Sequence, residues 1–332
     1  MAPLIPVQYK GLMYPPDVKP KVGEIPLRLN ASISRIKKSI ADMKKNGVEY
    51  FSLHTQEPYS TDDKVREQIL NDPDSVVSER EFVNLAAFPT SLWSSKEWIE
   101  EFITFLEIAS KSFEDNNIVR VIELHAPDVI DISSVVEFMD KLTYFHDAVS
   151  HIFPKAEFVV ENSNINNGKL LLLSSVNEIN EFSDKIDELK VNNYKFGIAL
   201  DIPQLLQAKG LRDINAKGKE IEDLFKSLEK SKHNIRSIHL SGASANMPNG
   251  HSHRGDLNTL FHHGHPETSE EGEKSESLKQ SLLTGLSFIL SDENKRYFVP
   301  ELNFGSEEQL NVDLKTIIND LMGAGIQFVD PE

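Results

Sequence analysis

From about residue 26 onward the chain shows a rhythm: short apolar runs of strand length alternate with segments whose apolar residues recur every three to four positions. Strands are expected at Pro26–Asn30, Val48–Leu53, Phe82–Phe88, Ile118–Leu124, Ala156–Val160, Lys195–Leu200, Ile235–Leu240 and Tyr297–Val299. Several are rich in β-branched residues and almost continuously apolar, as parallel strands covered on both faces are. Helices are expected between them. Ile33, Ile36, Ile40 and Met43 share a face, with Gly47 as a stop. Trp98, Phe102, Phe105 and Leu106 mark another helix, with Ser94 or Ser95 as its N-cap. Further helical faces run through Val135, Phe138, Met139, Leu142, Phe145 and Val149, then Ile221, Leu224, Phe225 and Leu228, then Leu310, Leu314, Ile317, Ile318 and Leu321.

Eight strands alternating with helices predict an α/β fold, a single-domain (β/α)8 TIM barrel spanning residues 26–332. Residues 1–25 carry five prolines (Pro3, Pro6, Pro15, Pro16, Pro20) and are expected as an irregular lead-in. An open doubly wound sheet is the alternative, but no G-x-G-x-x-G follows any strand. A polar insertion is expected at 262–277: His262, His263 and His265 followed by an acidic run to Glu276, read as a solvated loop whose histidines are incidental.

Composition narrows the function. With 35 Lys and Arg against 52 Asp and Glu, the net charge is −17, so the chain is not expected to grip nucleic acid through bulk charge. The absence of cysteine excludes disulfides, thiolate metal sites and cysteine nucleophiles. The first residues lack a basic region and apolar core of a signal peptide, and no run approaches the ~18 apolar residues of a membrane span, so a soluble cytoplasmic protein is expected.

The chemistry lies at strand ends. Val159-Val160 leads into Glu161, Ile198-Ala199-Leu200 into Asp201, Ile238 into His239, and Val299-Pro300 into Glu301. In a barrel all four occupy the C-terminal mouth, where barrel active sites form. Taken singly, each has a plainer explanation: a strand-terminal Asp caps the next helix, and a lone His is a satisfied core residue. Together, three carboxylates and an imidazole at one mouth raise one another's proton affinity unless a counter-charge joins them. A divalent cation (Mn, Co, Mg or Zn) answers that need.

The segments "FVVEN", "FGIALDIPQLL", "IRSIHLSGA" and "YFVPELNF", with "HSHRGDLNTLF" after strand seven, resemble the metal-bearing strand ends of the xylose-isomerase-like barrel superfamily. That group includes ketose 3-epimerases, sugar isomerases and endonuclease IV. The resemblance implies metal ligation by Glu161, Asp201, His239 and Glu301, and two chemistries. In the sugar enzymes one metal holds a ketose while two carboxylates, here Glu161 and Glu301, move a proton beside the carbonyl. In endonuclease IV three zincs cleave a phosphodiester at an abasic site, which needs further ligands. His125, His251 and His253 are candidates for these. Gln204 stands where that family has a histidine, and the expected strand three ends in Ala87-Phe88-Pro89 without one, so the trinuclear set is incomplete. Arg254 could pair a substrate anion or cap a helix, His54 could line the pocket, and Trp93 could stack on a sugar while Trp98 joins the core. The expected function is therefore a metal-dependent sugar isomerase or epimerase acting on a sugar or sugar phosphate. An endonuclease IV-like phosphodiesterase ranks second, and a barrel that binds a ligand without turnover third.

Overall fold

The computed structural model describes residues 3–9, 11–27, 33–55, 92–162, 171–242, 255–261, 268–302 and 306–331. Eight parallel strands close into one barrel in sequence order: β1 (Leu4–Gln8), β2 (Val22–Leu27), β3 (Tyr50–Thr55), β4 (Val119–His125), β5 (Glu157–Glu161), β6 (Phe196–Asp201), β7 (Ile235–Leu240) and β8 (Arg296–Pro300). Around them lie α1 (Ile33–Lys45), α2 (Lys96–Ser110), α3 (Val135–Val149), α4 (Val176–Lys190), α5 (Ile202–Ala208), α6 (Gly218–Lys226), α7 (Ser269–Ile289) and α8 (Glu307–Gly323). The expected single-domain TIM barrel is the observed architecture.

Its first strands differ from those expected. The proline-rich lead-in supplies β1 and most of β2, because Leu4, Ile5, Val7, Val22 and Ile25 are buried and carry enough apolar surface to make strands despite Pro6 and Pro26. Proline lacks the N–H a ladder needs, and the β1–β2 ladder is short, pairing only Val7 with Val22 and Gln8 with Gly23. Phe82–Phe88 lies outside the described residues. β3 pairs directly with β4, so the barrel closes without that segment.

The helices follow their sequence signals. Ser95 caps α2 by accepting from Trp98 N, and Ser175 with Glu178 forms a capping box on α4. Gly47 ends the turn after α1 at φ 90°, where a side chain would be strained. The insertion expected at 262–277 is largely helical: Thr268 and Glu271 form a capping box, and α7 runs from Ser269 with Glu270 and Glu271 in its first turn. An acidic run suits a helix N-terminus, since its charge opposes the positive end of the helix dipole. His262, His263 and His265 lie outside the described residues.

The main core fills the layer between strands and helices. A separate cluster of Val121, Val159 and Ala199, with Tyr297 packed on it, lines the barrel interior. Side chains alternate along a strand, so two residues beyond each lie Glu123, Glu161, Asp201 and Val299 on the same inward face. Outside, α6 and α7 pack closely, and a Cβ added at Gly285 would overlap the fully buried Phe225 ring. Gly285→Ala tests that approach. Alanine favours a helix by about 1 kcal/mol, but overpacking a rigid site costs about 1–3 kcal/mol. We expect a net loss of stability, read as a lower urea midpoint; an unchanged or raised midpoint would show that Phe225 can yield.

Candidate metal centre at the barrel mouth

Strand register assembles the centre. Asp201 pairs with His239 across β6–β7, His125 with Glu161 across β4–β5, and His54 with Glu123 across β3–β4. Adjacent strands lie about 4.8 Å apart, so each pair presents two polar groups at a spacing a metal ion could bridge. Two sets of side chains bring their ligand atoms within 4.8 Å of one another: Glu161, Asp201, His239 and Glu301, and separately His54, His125 and Glu161. Glu161 belongs to both.

Local chemistry fixes the members. Asn162 continues the β5–β6 ladder past the end of β5: its Oδ1 accepts from Asp201 N at 2.7 Å, and its Nδ2 donates to Asp201 O at 3.2 Å. Asp201 is also the N-cap of α5, accepting from Gln204 N at 2.8 Å through Oδ1. The helix-cap and site roles, alternatives in the sequence, thus coexist on the two oxygens of one carboxylate. Gln204 Nε2 donates to Asp201 Oδ2 and to Glu161 Oε1, both at 2.9 Å, tying the two carboxylates together.

Two further carboxylates, unmarked by any strand-end motif, reach the same space. Glu123 Oε2 lies 3.1 Å from His239 Nε2, and its Oε1 lies 3.5 Å from His54 Nε2. Glu24, on β2, lies 3.3 Å from His54 Nδ1. The two are 1% and 4% exposed. The signal for Glu123 was its place two residues before His125, on the same face of an otherwise apolar strand. Glu24 was hidden within the proline-rich stretch.

The electrostatics are those of crowded like charges in a dry site. Burial raises the Glu161 carboxyl well above its usual range, and Glu301, Asp201 and Glu123 push it further. Burial by itself would lower both His54 and His239, but their carboxylate neighbours outweigh it. Glu123, Glu24 and Glu161 hold His54 up at about 10, and Glu123 and Glu301 hold His239 well above its usual value. Burial would raise Glu123, yet His239 and His54 bring it below the usual range.

The arrangement fits a cation. Glu161 Oε2, Glu123 Oε1 and His239 Nδ1 are buried without an aligned hydrogen bond. All three nevertheless have neighbours: Glu161 Oε2 is 3.1 Å from His125 Nδ1, His239 Nδ1 is 3.2 Å from Glu301 Oε1, and Glu123 Oε1 is 3.5 Å from His54 Nε2. Buried polar atoms left in this state are costly unless something else satisfies them. Carboxylate and imidazole donors suit Zn, Mn, Co or Mg.

Other candidates separate cleanly. His54 and His125 join the centre, with His54 Nε2 3.2 Å from His125 Nε2, and His54 lies on β3 rather than on a second strand. Trp93 is not a stacking platform. It is fully buried, donates from Nε1 to His125 O at 3.0 Å, and packs edge-on against Phe138 and Phe145 beneath the end of β4. Trp98 is half-buried on α2. His251, His253 and Arg254 lie outside the described residues.

One consequence concerns protons. A histidine must shed its proton to bind a metal through that nitrogen. Because carboxylate neighbours raise His54 to about 10, hold His239 above its usual value and leave the Glu161 carboxyl raised as well, metal binding should release protons from the groups that become ligands, and affinity should rise with pH. Titrating metal-free protein with zinc chloride at pH 7 in weak buffer should acidify the solution, reversibly on adding a chelator. Zinc binding without proton release would remove both histidines from the ligand set.

No protein-family model matches the chain, and no curated protein matches it. Solved structures similar to it include a xylose isomerase domain protein from Planctomyces limnophilus, at 12% identity and TM-score 0.49 over 97% of each chain. A D-allulose 3-epimerase from Methylomonas sp. is similar at 14% identity and TM-score 0.48, over 97% of this chain and 100% of that one. The AP endonuclease AsfvAP is similar at 13% identity and TM-score 0.48, over 92% and 86%. These structures are xylose-isomerase-like TIM barrels.

Proposed function

We propose that the chain is a divalent-metal-dependent enzyme whose paired centre hydrolyses a phosphate ester, with phosphodiesters as the favoured class. The observation that carries this reading is the sharing of Glu161 between two ligand sets. Neighbouring metal ions clamp the attacking and leaving oxygens of an in-line displacement at phosphorus, whereas proton transfer beside a ketose carbonyl needs one. The sequence put sugar chemistry first because the trinuclear ligand set is incomplete and the net charge is −17; the second set, His54, His125 and Glu161, leads us to place the hydrolase ahead of it.

The residues divide the work. Glu161, Asp201, His239 and Glu301 would hold one cation, and His54 and His125 with Glu161 the other. When bound, the cations supply Lewis acidity to the phosphoryl oxygens and a water acidic enough to react at neutral pH. Glu301 is the most exposed carboxylate of its set, and we assign it the proton of the attacking water, passed outward to solvent. Gln204, donating to both Glu161 and Asp201, keeps the shared carboxylate in place. The net charge of −17 favours small phosphodiesters over long duplexes, because a polyanion gains affinity from many cationic contacts.

A second reading is the sugar isomerase or epimerase. It is favoured by the position of Glu161 and Glu301 on β5 and after β8, three strands apart around one mouth, where two carboxylates could exchange a proton with a ketose between them.

Metal content and substrate decide together. Elemental analysis should give two equivalents per chain, and the loaded protein should cleave bis(p-nitrophenyl) phosphate or incise an abasic duplex, with loss on chelation. One equivalent, together with deuterium uptake into a ketose in D2O and no cleavage of either ester, would overturn the hydrolase in favour of the epimerase. Glu301→Gln should lower turnover by about 10²–10⁴-fold while retaining much of the metal, because an amide oxygen can coordinate but cannot accept a proton. The double variant His54→Ala/His125→Ala should drop the metal count to one and lose about 10³-fold in hydrolysis, the equivalent of several kcal/mol of charge stabilisation.

A further inference from the structure

Among the described residues, two of the three histidines at the mouth are backed by a buried carboxylate on the ring nitrogen opposite the one that faces the centre. His239 Nε2 lies 3.1 Å from Glu123 Oε2, while its Nδ1 faces Glu301 at 3.2 Å without an aligned hydrogen bond. His54 Nδ1 lies 3.3 Å from Glu24 Oε1, while its Nε2 faces His125 Nε2 at 3.2 Å and Glu161 Oε2 at 3.9 Å. The backing carboxylates come from β4 and β2, which bear neither histidine: the Glu123–His239 contact crosses the barrel interior from β4 to β7, and the Glu24–His54 contact joins the neighbouring strands β2 and β3. Nothing in hydrophobic packing explains two nearly inaccessible glutamates inside a barrel whose next layer is Val121, Val159 and Ala199.

We propose that Glu123 and Glu24 are positioning residues, each holding one ring nitrogen, Nε2 of His239 and Nδ1 of His54, and thereby turning the other nitrogen toward a metal ion. The inference rests on the metal-centre reading above but not on which ester or sugar is the substrate. An imidazole has one coordinating nitrogen only when the other carries the proton, and a carboxylate beside that second nitrogen fixes both tautomer and ring plane. It also makes the ligand nitrogen more basic. Glu123 serves a second purpose: its Oε1, 3.5 Å from His54 Nε2, leaves one carboxylate bordering both ligand sets. Loss of Glu123 should therefore be felt at both cations, and loss of Glu24 at the His54 set.

The test is metal affinity with a spectroscopic check, made on the full chain. Zinc dissociation constants, from competition with a chromogenic chelator, should weaken about 10–100-fold in Glu123→Gln. Glu123→Ala should weaken further, since glutamine still offers an acceptor oxygen to Nε2–H. Glu24→Gln should weaken one equivalent and spare the other. In the wild-type zinc form, 15N-histidine spectra should show His239 protonated on Nε2 and His54 on Nδ1. The cobalt form of Glu123→Gln should keep the wild-type absorption band shape, because no ligand is removed. Unchanged zinc affinity in both glutamine variants, or the opposite tautomers in the wild type, would overturn the inference. A changed cobalt band would also overturn it, by making Glu123 a ligand. A wild-type chain that takes up no divalent cation would defeat the metal reading itself, whereas a metal-binding wild type with indifferent variants defeats only the positioning role. Should Glu123→Gln fail to fold, the wild-type tautomer measurement decides alone.

Discussion

Five carboxylates and three imidazoles share one end of a barrel interior, and that concentration of ionisable groups out of water is the constraint on which the other features depend. Charges of one sign cannot be crowded into a low-dielectric space without a partner. The protein answers in three ways. Carboxylate neighbours raise the proton affinity of two histidines, His54 and His239. Gln204 donates to two of the carboxylates. Several ligand atoms remain unsatisfied in a geometry suited to divalent ions. A hydrophobic plug would stabilise the same volume at less risk, so polar side chains kept here argue for chemistry rather than packing.

The barrel supplies this concentration through register. Parallel strands in sequence order bring residues far apart in the chain, such as Glu123 and His239, to 3.1 Å. Alternation decides which residues face inward: on β4 the series Val121, Glu123, His125 passes from apolar floor to polar mouth on one face. Beyond the strand ends, Asn162 extends the ladder by one side-chain step, and Trp93 fastens the last carbonyl of β4. Both hold a strand end that bears candidate ligands where the backbone ladder itself has stopped.

Much of this was readable in the sequence, for physical reasons that also explain what was not. Strands five to eight were legible because each carries apolar residues directly before a polar one at its C-terminal end, so Glu161, Asp201, His239 and Glu301 announce themselves. The helix caps were legible because Ser, Thr and Glu at fixed offsets do one job. β1 was not, because Pro3 and Pro6 read as irregular chain whereas burial of Leu4, Ile5 and Val7 outweighs the lost donors. Glu123 and Glu24 were missed because a charged residue inside a strand resembles one that merely faces solvent, and only closure of the barrel turns that face inward. Trp93 was misjudged for the converse reason: an aromatic near a mouth looks like a platform until its ring is found among Phe138 and Phe145.

The seam between β1 and β8 has a bearing on how the molecule is made. Leu4, Ile5 and Pro6 pair with Arg296, Tyr297 and Phe298, and Leu4 exchanges backbone hydrogen bonds with Gln327 and Val329. This joins segments nearly three hundred residues apart, the kind of pairing whose loop-closure entropy is met last in a folding reaction. Until it forms, the sheet is an open ribbon with β1 or β2 at one raw edge and the most recently added strand at the other, each a template for pairing with another chain. Synthesis proceeds from the amino terminus, so that first edge waits for nearly three hundred further residues before its partner exists. The same closing step seals the charged groups of the mouth, Glu24 and Glu123 among them, inside a cylinder. Completing the charged interior and escaping from aggregation are thus one late event.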